Sequence, residues 1–79
     1  MPSISSTLAG VLRRHRIEAG LSQEELAHRA DLDRTYISLV ERSKRNITVD
    51  ALDRIASGLG VPASRLLSEA ESARNKGRR

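Results

Sequence analysis

Residues 22–41 read SQEELAHRADLDRTYISLVE, and their spacing predicts two short helices with a tight turn between them. Ser22 followed three positions later by Glu25 is a capping box, in which each side chain satisfies a helix N-terminal N–H that otherwise has no partner. Leu21 and Leu26 bracket that box at the spacing of a hydrophobic staple. The same interval recurs as Leu32/Ile37 around Asp33, Ile47/Leu52 around Thr48, and Val61/Leu66 around Pro62. Four helix starts follow, three with Ser, Asp or Thr at the cap and a fourth whose proline offers no capping side chain.

Working outward, an earlier helix fits residues 7–18, closed by Gly20. Five helices joined by connections of a few residues result. The apolar positions agree with that layout. Leu8, Val11, Leu12 and His15 share a stripe of the first helix, and Leu26, Ala27 and Ala30 face inward on the second. Ile37 and Val40 do so on the third, Leu52, Ile55, Ala56 and Leu59 line the fourth, and Leu66 and Leu67 begin the fifth. No segment alternates with period two over a strand's length, so the fold class is all-α. Gly58 within the fourth helix costs about 1 kcal/mol relative to alanine.

Composition narrows the classes further. Seventy-nine residues make one domain, and so small a domain buries only about 60% of the surface its unfolded chain exposes. With no Phe, no Trp and one Tyr, the core is built of Leu, Ile, Val and Ala, and burial of apolar surface in a dimer would support it. No cysteine is present, which removes disulfides and thiolate metal sites and suits a reducing cytoplasm. No export signal and no run of about 20 apolar residues is seen, so neither secretion by that route nor a membrane span is expected. The formal charge is +4, but residues 1–73 balance ten basic against ten acidic side chains. The surplus lies in Arg74, Lys76, Arg78 and Arg79, so residues 74–79 read as a basic, disordered tail on a domain of residues 1–73. High isoelectric point is therefore a poor argument for nucleic acid, and local placement matters more.

Two capped helices across a tight turn form a helix-turn-helix, a motif that places the end of its second helix in a DNA groove. With Asp33 as cap, Arg34, Thr35 and Tyr36 occupy the first turn of that helix and Ser38 lies one turn on. Arg34 and Thr35 lead as base contacts, because arginine grips guanine O6 and N7 bidentately and a threonine methyl packs on thymine. Ser38 is divided between base or phosphate contact and plain solvent exposure. The Tyr36 phenol either reaches a phosphate or lies against its helix. Gln23 opens the preceding helix, whose N-terminal N–H groups seat a phosphate. Arg42, Lys44 and Arg45 cluster just after the third helix, in a loop expected to face the DNA backbone.

The stretch LSQEELAHRADLDRTYISLVERSKRNITVDALDRIASGLGVPASRLL resembles the lambda-repressor-like (Cro/repressor, Xre-type) helix-turn-helix domain over about residues 8–68. Within that family, LDRTYISxVERxxRNIT is similar to the small controller proteins of restriction–modification systems. The resemblance implies a compact five-helix homodimer with its helix-turn-helix at helices two and three. It implies binding to a palindromic double-stranded operator and regulation of transcription. It also assigns Tyr36 to a phosphate, brings Arg45 and Asn46 to the backbone or minor groove, and pairs Arg16 with Glu41 as a structural ion pair. The chain departs from the family where glycine is usual, carrying Asp31 in the motif turn and Ser43 after the third helix.

No enzyme is expected. His15 and His28 lie on different helices with no carboxylate or cysteine cluster at metal-ligand spacing, and neither a glycine-rich phosphate loop nor a Ser/His/Asp arrangement can be made out. No cofactor, metal or small-molecule ligand is expected. Two other classes stay open: an antitoxin-type subunit of a two-protein system, and a protein-interaction module without DNA binding. The dimer surface is expected around Leu59, Val61, Ser64, Leu66 and Leu67, whose apolar area exceeds what one small core needs.

Overall fold

The computed structural model describes residues 3–76. Five helices follow one another, α1 (Ile4–Glu18), α2 (Gln23–Ala30), α3 (Arg34–Glu41), α4 (Val49–Leu59) and α5 (Ala63–Lys76), with no strand among the described residues. The fold is lambda-repressor-like. α1 packs along α5 and touches α3, while α2 lies between α3 and α4. Leu12, Leu26, Ile37, Ile55 and Leu66, one from each helix, are the largest fully enclosed side chains. Burying each contributes about 1.5–3 kcal/mol, so the five helices share one aliphatic centre.

The joints between helices repeat one local design. After α1, Gly20 takes a left-handed conformation (φ 74°), and the N–H groups of Gly20 and Leu21 return to the carbonyls of Ile17 and Arg16. After α2, Asp31 (φ 55°) and Leu32 do the same toward His28 and Ala27, and after α4, Gly60 (φ 75°) and Val61 toward Ser57 and Ala56. These are Schellman closures, which satisfy carbonyls that a helix end leaves without partners. In each, the apolar residue after the left-handed one (Leu21, Leu32 or Val61) is also the staple residue before the next helix. One residue therefore ends one helix and starts another.

The exception follows α3. Ser43 (φ 59°) closes that helix in the same way, with the Ser43 and Lys44 N–H groups on the Val40 and Leu39 carbonyls. The chain then spends Lys44, Arg45 and Asn46 before Ile47 and the capping Thr48, whose Oγ1 accepts the Ala51 N–H at 3.1 Å. The lengthened joint is the one that carries the basic cluster.

Three expectations change. α1 begins at Ile4, not residue 7, because Ser3 caps it by accepting the Ser6 N–H at 3.1 Å. α5 continues to Lys76, so Arg74 and Lys76 are helical; Arg78 and Arg79 lie outside the described residues. Leu66, expected at a dimer surface, is 0% exposed, because its staple with Val61 turns it onto α1 and the core. Gly58 also finds its reason: a Cβ there would sit 3.2 Å from Arg29 Cβ and 3.3 Å from Leu26 Cδ1, so its bare backbone lets α4 approach α2.

Candidate nucleic-acid interface

α3 starts at Asp33, which has the extended backbone of a cap residue but makes no side-chain capping bond. Its carboxylate is therefore left at the solvent-facing mouth of the helix, where the dipole still favours negative charge. Arg34 and Thr35 follow on the first turn and are both exposed, while Tyr36 and Ser38 are half-buried and Ile37 and Val40 point into the core. The apolar pair Ile37/Val40 thus fixes the roll of the helix and leaves Arg34 and Thr35 facing water.

The far end of α3 is tied to α1 and α2. The Arg16 guanidinium donates through Nε to Glu41 Oε2 at 2.7 Å and through Nη2 to Oε1 at 3.0 Å. Its Nη1 donates to the Leu21 carbonyl at 2.9 Å. The Glu41 side chain is only 3% exposed, so a bidentate partner and a third donor are what make burial of that carboxylate tolerable. The hydrogen bond that Arg16 donates to Glu41 raises the Arg16 pKa. The third donor is Gln23, whose Nε2 lies 3.1 Å from Glu41 Oε1. One amide hydrogen of Gln23 is thus held inward, leaving the other hydrogen and the amide oxygen for contacts at the α2 N-terminus.

Tyr36 reaches neither out into solvent nor back along its own helix. Its hydroxyl accepts the Thr48 N–H at 3.1 Å, and the Arg45 guanidinium lies over its ring, 4.9 Å from the centroid. The hydroxyl hydrogen remains free to donate. Lys44, Arg45 and Asn46 are all exposed. The lengthened joint therefore stands beside the first turn of α3, joined to it through one aromatic ring.

Of the residues expected at a dimer surface, Leu59 and Val61 are half-buried against the core, Ser64 is exposed, and Leu67 is 38% exposed. Val49, which no periodic pattern singled out, is 82% exposed at the start of α4. It borders a shallow apolar groove shared with Ile4, Leu8, Ile47, Ala63 and Leu67. The α1–α5 contact holds a second feature the sequence did not show. Glu69 accepts from Arg14, lies 2.8 Å from His15 Nε2 and 3.2 Å from Arg65 Nε. Its carboxyl pKa falls to about 2, chiefly through the His15 hydrogen bond. No group of three or more metal-ligating side chains occurs among the described residues, and no helix is long and apolar enough to cross a membrane.

The comparisons with known proteins agree with this geometry. The helix-turn-helix family model matches residues 12–66. A hypothetical transcription factor of Neisseria meningitidis is 45% identical over 64 residues, 81% of this chain and 60% of that protein. The control protein C.MunI of a Mycoplasma species is 49% identical over 51 residues, 65% of this chain and 69% of its own length. The crystal structure of the wild-type restriction–modification controller protein C.Esp1396I superposes with a TM-score of 0.82 at 36% identity, covering 91% of this chain and 95% of that one. All three are regulators by name, none an enzyme. With α2 and α3 arranged as described and a match running across most of its folded length, the chain belongs to the helix-turn-helix family of DNA-binding transcriptional regulators, alongside controller proteins.

Proposed function

We propose that two copies of the chain bind a palindromic operator in double-stranded DNA and regulate transcription there, as a controller of a restriction–modification system in the cytoplasm. The carrying observation is that Arg34 and Thr35 stand exposed on the first turn of α3 next to the exposed Lys44–Arg45–Asn46 loop. The first pair reads base edges, with Ser38 behind it, and Gln23, Tyr36 and the loop hold the phosphates. Two such helices enter successive major grooves about 34 Å apart when the protein is a two-fold dimer. The partner surface is the groove of Ile47, Val49, Ala63 and Leu67, because an 82% exposed valine beside an exposed leucine is apolar area that a second copy removes from water.

Selection of duplexes from a random pool at physiological salt tests this reading. Recovery of an inverted repeat supports it, whereas failure to retain any duplex overturns it. Neighbouring genes for a methyltransferase and nuclease support the controller role; a toxin gene in their place favours the antitoxin-type reading.

A further inference from the structure

We infer that Tyr36 is a positioning residue for Arg45: its ring is the platform that holds the guanidinium ready for a DNA phosphate, and its hydroxyl fixes that platform to the loop. The inference rests on the proposed DNA binding and deepens it. Three observations carry it. The joint after α3 is three residues longer than its counterparts, and among the described residues Arg45, Asn46 and Ile47 take part in no hydrogen bond. Ile47 is anchored by packing on the core, so the remaining hold on the exposed stretch is the Tyr36 ring. That ring is pinned at its far end by the Thr48 N–H, 3.1 Å from the hydroxyl, and covered by the Arg45 guanidinium at 4.9 Å.

The chemistry suits the task. A guanidinium stacked on a ring keeps its N–H donors in its own plane, directed away from the ring, where a phosphate can take two of them. A free arginine in a loop would lose its rotamer freedom on binding; a stacked one has already lost it, so less is surrendered when the complex forms. Beside any contact of its own hydroxyl, Tyr36 thereby acts on DNA through Arg45.

The test uses the whole chain and the selected duplex. Tyr36 is the only Phe, Tyr or Trp, and its ring is the one against which the Arg45 guanidinium lies. The Arg45 side-chain protons of the DNA-free protein are expected upfield of their random-coil positions, and random-coil positions would overturn the inference. Binding then separates the roles. Tyr36→Leu should weaken the complex about two- to fivefold, the range of an exposed cation–π contact, and flatten the salt dependence by about one phosphate contact. Tyr36→Phe, which keeps the ring, should retain the wild-type salt slope. Arg45→Ala should flatten the slope in the wild-type background and add little to Tyr36→Leu. An undiminished Arg45→Ala effect beside Tyr36→Leu would show independent contacts and overturns the inference. Absence of binding by the wild-type protein would fault the proposed function, and the shift measurement would still judge the platform.

Discussion

Arg34 carries the sharpest expectation because it is an exposed cation on the first turn of a helix whose roll is fixed by Ile37 and Val40. Arg34→Ala should cost about 1–3 kcal/mol on the selected operator and little on random DNA, as measured by competition binding at one salt concentration; equal losses on both would remove it as a base reader. Ser43 is the other residue with a clear prediction. It holds φ 59°, which costs an ordinary residue about 1–2 kcal/mol and glycine almost nothing. Ser43→Gly should therefore stabilise the protein by about 1 kcal/mol in a urea melt. Asp31→Gly should yield less, since aspartate tolerates this region and the substitution also removes the Asp31 carboxylate that lies 3.7 Å from the Arg54 guanidinium. The sequence marked both positions as departures from the usual glycine. It could not show that both keep the glycine conformation, because the cost is met by Schellman bonds that only the folded backbone makes.

At the scale of elements, the starts of α2 to α5 were legible, whereas the start of α1, the end of α5 and the helices' mates were not. Ser22 and Glu25 form the capping box foreseen, with bonds of 3.0 and 2.8 Å, since both partners lie three residues apart and need no tertiary help. Asp33 fills the cap position without making the bond. α5 outruns its expected end because its basic last turn, Arg74 and Lys76, suits the negative helix terminus; charge alone had suggested a solvated tail. Gly58 marks where two elements meet. Replacing it by alanine gains about 1 kcal/mol of helix propensity. The new Cβ would press on Arg29 Cβ at 3.2 Å, an atom that moves only if α2 moves, and such overpacking costs about 1–3 kcal/mol. Gly58→Ala should therefore lower the thermal midpoint, and a rise would show that α2 yields freely.

For the whole molecule, the α1–α5 contact predicts a response to acid. Glu69 is held at about 2 by His15, Arg14 and Arg65, so between its ordinary value near 4.5 and 2 the unfolded chain binds more protons than the folded one. Its stabilisation is complete above that window and is lost as pH falls through it. The thermal midpoint should drop on acidification more steeply in the wild type than in Glu69→Gln, and parallel curves would deny the contact a role. Association is tested at Val49. Val49→Asp should leave helicity unchanged and shift sedimentation from dimer to monomer at micromolar concentration; a persistent dimer would move the interface elsewhere.

By itself, the order of residues determined five helices, the staples that open α2 to α5, and a helix-turn-helix with Arg34 and Thr35 on the leading turn. All of these depend on partners within about one helical turn, whose geometry the local backbone already dictates. Tertiary structure decided what spans the chain: that Leu66 is core while Val49 is bare, that Glu69 clasps α1, and that Tyr36 turns to Thr48 and Arg45. Those outcomes depend on how whole helices pack, and an apolar or polar letter states only that a side chain wants a partner, not which distant one packing will bring to it.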